Sequence, residues 1–170
     1  VDVCTGSGCI AFALKSKFPI AHVVGIDWSK DALTLADENK NKLQLEVDLL
    51  HMNALEKWDA HVFQPNSVDI LVSNPPYITT SEKKGMHPNV LEFEPEMALF
   101  VPNDDPLLFY RAIAENSLYV LKSGGSLYFE LNENFASETK QLLVDLGFVH
   151  TEIREDLQGK KRMLKAQKQH

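Results

Sequence analysis

Cysteine is scarce in this chain: Cys4 and Cys9 are the two present in 170 residues. They sit in or beside one loop, too few for a disulfide framework and without the paired spacing of a zinc site, so buried thiols are expected. The six histidines are scattered. None forms the i, i+4 pair of a helical metal site, and no metal is expected. No apolar run approaches the ~18 residues of a membrane helix. The opening Val-Asp-Val-Cys carries no basic region of the kind that starts a secretory leader. These absences point to the cytoplasm and away from a membrane. Positive charge is short too, with a net charge of −7. Affinity for a nucleic-acid backbone comes largely from Lys and Arg, so no direct nucleic-acid partner is expected. Basic density occurs only in Gln158–Lys168, which reads as a solvated edge strand and tail.

What is present suits one domain with a real core: 44% hydrophobic and 24% charged residues. The chain opens inside what reads as a strand, which we take as a truncated first strand in a piece of a longer protein. Gly8–Phe18 has helical spacing, with Ile10, Ala11, Leu14 and Phe18 on one side and Pro19 as its stop. Ala21–Asp27 is a buried β-branched run. Ser29 caps a helix with Ala32, Leu35, Ala36 and Leu43 on its stripe and Asn39 as the polar exception. Leu43–Met52 holds a third strand and Ser67–Ser73 a fourth. The proline-rich stretch Pro75–Asp104 shows little periodicity; loops of that length inside a compact domain are usually functional. Asp105 with Pro106 is expected to start a helix that Gly124-Gly125 ends. Ser126–Leu131 reads as a fifth strand and Phe135–Leu146 as a helix closed by Gly147. Two terminal strands, joined near Gln158-Gly159, have no room for a crossover and must pair antiparallel. Strand–helix alternation predicts an α/β fold with a mostly parallel sheet covered on both faces.

The first turn, Gly6-Ser7-Gly8-Cys9-Ile10-Ala11, fits the G-x-G-x-x-G/A pattern. Glycines there let a ligand approach the backbone and bare N–H groups at a helix N-terminus. Asp27 ends the second strand ~20 residues on, where a carboxylate can accept ribose hydroxyl protons. A turn that merely packs its helix would explain the glycines but not the acid. Alone, the pair says only that an adenosine-type cofactor binds.

Asn74-Pro75-Pro76-Tyr77 follows the fourth strand, at the carboxyl edge where open α/β sheets bind ligands. An amide or aromatic amino nitrogen is a poor nucleophile because its lone pair is delocalised. Attack by such a nitrogen on an electrophilic carbon needs that lone pair aimed in line at about 3 Å. Two acceptors that grip the N–H protons can aim it: the Asn74 side-chain oxygen and the Pro75 carbonyl. Proline fixes φ, so that carbonyl points one way. Tyr77 offers a flat wall to a planar group.

Asp2 precedes the glycine turn, giving D-x-C-x-G-x-G, which resembles the first motif of class I S-adenosylmethionine methyltransferases with Cys4 in the place of the first glycine. The resemblance implies a Rossmann-like, mostly parallel seven-strand sheet with an antiparallel last strand. It also implies S-adenosyl-L-methionine as cofactor, its methionine part over Asp2, Cys4, Thr5, Gly6, Ser7 and Gly8 and its ribose on Asp27. Asn74-Pro75-Pro76-Tyr77 resembles the signature of amino and amide nitrogen methyltransferases. With Phe93-Glu94-Pro95, Ala98-Leu99 and the terminal Gly-Lys-Lys-Arg-Met-Leu-Lys-Ala strand, the chain from Val1 to about Ala166 is similar to the HemK/PrmC family, which methylates the glutamine of the Gly-Gly-Gln loop in peptide chain release factors. That implies catalytic Asn74, Pro75 and Tyr77, with Asn74 also against the cofactor, substrate contacts from Asn74, Pro75, Pro76, Tyr77, Phe93, Glu94 and Pro95, and a release factor as partner. Asn53 stands nearest to the family's adenine-contacting acid, with Ala54 beside it. The family's helical substrate-binding domain is absent ahead of the glycine turn, so residues 1–170 are expected to be the catalytic domain alone, a monomer. Glu94 and Glu130 are expected to serve as hydrogen-bonding rather than catalytic acids. Two other functions use similar parts: an N6-adenine DNA or RNA methyltransferase, against which the acidic balance argues, and a non-catalytic adenosine-binding docking module.

Overall fold

A computed structural model of the chain describes residues 1–79, 81 and 100–169. Phe93, Glu94, Pro95, Ala98 and Leu99 lie outside the described residues. The elements run β1 (Asp2–Val3), α1 (Cys9–Lys17), β2 (Val24–Asp27), α2 (Lys30–Leu43), β3 (Asp48–His51), β4 (Val68–Ser73), β5 (Ile78–Thr79), β6 (Phe100–Val101), α3 (Leu108–Val120), β7 (Leu121–Glu130), a 3₁₀ turn (Glu133–Phe135), α4 (Ala136–Asp145), β8 (Phe148–Glu155) and β9 (Lys161–Lys168). Seven strands form one sheet in the order β3-β2-β1-β4-β7-β9-β8. All pairings are parallel as far as β7; β9 then inserts antiparallel to both β7 and β8.

Register brings the strand ends into line. Val3 lies opposite Ile26 and Ser73, Asp27 opposite His51, and Ser73 opposite Phe129. The carboxyl ends of five parallel strands therefore share one edge. On one face, Leu71, Leu127, Phe129 and Leu164 are buried with Tyr110, Ile113 and Val120 of α3 and Leu143 of α4. Each such side chain contributes about 1.5–3 kcal/mol. On the other face, Ala11, Phe12 and Ala36 pack over β1–β3 with Val23 and Val47. The half of that face over β4, β7 and β9 carries Val72, Tyr128 and Met163 around a hollow of about 330 Å3.

Several local expectations change. The β9 segment is not an edge strand, because β8 flanks it, and its Leu164 and Ala166 are buried. Leu35 and Leu43 of α2 are exposed, and Ala36 alone among its residues is buried. Cys9 is exposed rather than a buried thiol, since α1 begins there at the rim of the turn. Asp105 does not cap α3. Its carboxylate accepts two hydrogen bonds from the Arg111 guanidinium (2.9 and 3.0 Å), and the helix starts at Leu108. Gly124-Gly125 does not end that helix, because β7 has already begun at Leu121. Instead Gly125 lies where an added Cβ would meet the Lys122 carbonyl oxygen at 2.9 Å. The stretch 75–104 is not wholly irregular: β5 and β6 pair in parallel at its two ends.

Candidate active site

The glycine turn leaves β1 through a run of left-handed residues: Cys4 (φ 60°), Gly6 (φ 56°) and Gly8 (φ 87°). Such angles cost a side-chain-bearing residue about 1–2 kcal/mol, so Cys4 holds a position that favours glycine. A Cβ on Gly8 would fall 2.2 Å from the Phe12 ring, whereas one on Gly6 would meet nothing within 4 Å. Gly8 is glycine both for its positive φ and for its packing against Phe12, and Gly6 borders open space. Asp2, fully buried, ties the turn down. Its Oδ2 accepts from the Thr5 hydroxyl (2.6 Å) and the Ala11 N–H (3.0 Å), while its Oδ1 is buried with no partner among the described residues. Burial pushes the Asp2 carboxyl up to about 6. Burial, then the charges of Asp27 and Asp2, push the Cys4 thiol up to about 12.

Asp27 reaches from β2 to the same turn. Its two oxygens accept from the Gly6 N–H and the Ser29 N–H, both at 2.8 Å. Asn39, the polar exception on α2, donates to the Ser7 carbonyl (3.1 Å) and fastens the turn from the other side. After β3, Asn53 accepts from the Leu55 N–H (3.0 Å), and buried Ala54 lies beside it. Sequence reasoning missed Asn116 as the support of this loop. It takes the Trp58 N–H (3.0 Å) on its oxygen and donates to the carbonyls of Ala54 (3.3 Å) and Glu56 (2.8 Å). It shares the core-facing stripe of α3 with the buried Ser117, and nothing local marks it as the support of a loop about 60 residues earlier.

At the end of β4, Ser73 donates to the Val3 carbonyl (2.7 Å), which locks the strand beside β1. Pro75 and Pro76 are buried, while Asn74 is exposed and its side chain has no hydrogen-bond partner among the described residues. Tyr77 is half-buried, and its hydroxyl donates to Glu130 Oε1 (2.9 Å). Burial and the Glu130 charge push that phenol up to about 12. Glu130 is thus engaged as a hydrogen-bonding acid. Tyr110 and Asn132, neither foreseen as site residues, complete the support: the Tyr110 hydroxyl donates to the Glu130 carbonyl (3.1 Å), and Asn132 Nδ2 donates to the Tyr77 carbonyl (3.0 Å). The structure thus brings the turn, Asp27, Asn53 and the Asn74 corner to the ends of adjacent strands.

A seven-strand sheet of this order, with a glycine turn after β1 and an acid after β2, defines a Rossmann-like class I S-adenosylmethionine-dependent methyltransferase fold. A family model described as "Methyltransferase domain" matches residues 1–167. The chain belongs to that methyltransferase family. It is 42% identical over 165 residues to a release factor glutamine methyltransferase of Flavobacterium psychrophilum, a match covering 97% of this chain and 56% of the relative. It is 42% identical over 166 residues to the protein of the same name in Bacteroides thetaiotaomicron, covering 98% and 59%. The chain thus spans a little over half the length of these relatives. Among solved structures, a methyltransferase from Pyrococcus furiosus has the same fold, with a TM-score of 0.70 at 16% identity over 100% of this chain and 75% of that one. So has an S-adenosylmethionine-dependent O-methyltransferase from Thermotoga maritima, with a TM-score of 0.67 at 18% identity over 99% and 59%.

Proposed function

We propose that this chain is the catalytic domain of a protein-glutamine N-methyltransferase whose substrate is the Gly-Gly-Gln loop of a peptide chain release factor, acting in the cytoplasm during translation termination. The observation that carries this reading is the corner: an exposed Asn74 carboxamide with no partner among the described residues, on a buried proline pair, at the strand end next to the glycine turn. The names of the relatives at 42% identity agree with it.

The residues present fit S-adenosyl-L-methionine. Gly6 faces open space, the buried Asp2 Oδ1 lacks a donor among the described residues, and the carboxylate of Asp27 sits beside the turn. Asp2, Cys4, Thr5, Gly6, Ser7 and Gly8 would hold its methionine part, Asp27 its ribose, and Asn53 and Ala54 its adenine. When bound, the cofactor supplies a methyl carbon on a positively charged sulfur. Asn74 Oδ1 and the Pro75 carbonyl accept the two amide N–H bonds of the glutamine, which turns its nitrogen lone pair toward that carbon. Positive charge then develops on the nitrogen, and the same two oxygens stabilise it. Tyr77, held by Glu130, limits how the planar amide can tilt. The nitrogen gives up its proton to solvent at this exposed corner only after positive charge has developed on it, so no strong base is required at the start.

The test is incubation of the full-length protein with methyl-labelled S-adenosylmethionine and a release factor. We expect label on the wild-type factor and none once the loop glutamine is replaced. Equal label on both, or none on either, contradicts the assignment.

A further inference from the structure

The corner is stiff by itself, but stiffness does not say where it points. Two prolines fix local φ angles; something else must fix the direction of the corner relative to the sheet. Asn132 stands at that junction. It stands two residues past the end of β7, after Leu131, and is 6% exposed. Its carboxamide is used in two directions. Nδ2 donates to the Tyr77 carbonyl (3.0 Å), while Oδ1 accepts from the Asn134 N–H (3.0 Å) and so caps the 3₁₀ turn. Its own backbone N–H donates to the Tyr110 hydroxyl (3.2 Å), and that hydroxyl donates onward to the Glu130 carbonyl (3.1 Å).

We propose that Asn132 is a positioning residue for methyl transfer: its carboxamide N–H holds the backbone of the Asn74–Tyr77 corner in register with the end of β7, and Tyr110 holds Asn132. This deepens the proposed function and rests on it, because the corner matters for rate only if it aims a substrate nitrogen. The bond is made to the main chain of Tyr77, so it constrains the peptide that follows Pro75 and Pro76 rather than a side chain. Asn132 is assigned a positioning rather than a catalytic role because its carboxamide acts through the Tyr77 main chain. Asn132 is buried and its bond to Tyr77 is part-buried, so a Tyr77 carbonyl that loses this donor is left under-satisfied and the chain moves to relieve it. A displacement of ~1 Å at a reacting nitrogen can cost ~10²-fold in rate.

The Asn132→Asp variant separates positioning from capping. An Asp keeps the oxygen that caps the 3₁₀ turn but places a carboxylate oxygen against the Tyr77 carbonyl. In the full-length protein, we expect Asn132→Asp to lower kcat roughly 10- to 100-fold, leaving KM for the cofactor within about threefold. Tyr110→Phe should shift kcat in the same direction by less. Asn132→Gln, which keeps the donor on a longer stem, should recover part of the loss. If Asn132 served only as a cap, Asn132→Asp would match wild type, which overturns the inference. A second readout needs no substrate. Amide hydrogen exchange at Tyr77 and Ile78 should be at least about tenfold faster in Asn132→Asp at equal global stability, one factor of ten being a modest local opening change. Unchanged exchange there overturns the inference even if kcat falls. Absence of methylation by the wild-type protein overturns the substrate assignment instead, and the exchange measurement still decides the role of Asn132.

Discussion

Asp2 is the residue whose chemistry conflicts most with its surroundings: a carboxylate at 0% exposure with one oxygen lacking a partner among the described residues. Its folded value, about 6, lies above its ordinary 3.8. The contribution is therefore fully present below pH ~4 and is lost as pH rises through ~6, by ~3 kcal/mol at most. Asp2→Asn should remove that loss, so the difference in urea midpoint between variant and wild type should grow in the variant's favour from pH 4 to pH 7.5. The same change should weaken cofactor binding. A pH-independent difference contradicts the assignment. Gly6→Ala makes the complementary case: φ of 56° and open space predict a loss of only ~1–2 kcal/mol in stability with cofactor binding abolished. Calorimetric titration and thermal melts together check it. The signature residues of this edge were readable because each answers to a strong local rule: Gly6 and Gly8 to positive φ, Asp27 to its distance from the turn, Pro75-Pro76 to a fixed corner. Tyr110, Asn116 and Asn132 were not readable as site residues, because they act on main-chain groups far away in sequence.

Elements followed the same division. The start of helix α2 was predictable because its signal is local, Ser29 Oγ accepting from the Ala32 N–H (3.2 Å), while its closure by Gln44 at φ 54° was not foreseen. The start of α3 was not, because Arg111 captures the carboxylate of Asp105 that would otherwise cap the helix. The far end of α3 is satisfied from another strand. Lys168 on β9 sends its ammonium to the carbonyls of Leu118 (2.5 Å) and Leu121 (2.8 Å) and to Asn66 Oδ1 (2.7 Å). A cation there also complements the helix dipole. No sequence rule links a terminal lysine to a helix ~50 residues earlier, so this clamp was not foreseen. Lys168→Met should lower stability by ~1–2 kcal/mol, the range for charge-assisted bonds at a partly exposed site, seen as a lower urea midpoint with unchanged slope. A change within about 0.3 kcal/mol would show that water replaces the ammonium at no net cost.

At the scale of the whole molecule, one sheet edge gathers the glycine turn, Asp27 and the Asn74–Tyr77 corner, because β1, β2 and β4 are neighbours in register. The sheet was legible from strand–helix alternation, while the placement of β9 between β7 and β8 required the structure. If this edge binds S-adenosylmethionine, the cofactor at 100 times its Kd should stabilise the fold by ~2.7 kcal/mol, and Asp27→Asn should erase most of that gain. In the function proposed above, Asn74 speeds transfer by holding the nitrogen more than by holding the cofactor. Single-turnover methyl transfer by Asn74→Ala in the full-length protein, with cofactor Kd measured alongside, tests it most directly. We expect a rate loss of ~10²-fold or more with Kd within about threefold. A variant that transfers methyl at the wild-type rate, or one whose entire loss is recovered by saturating cofactor, contradicts it.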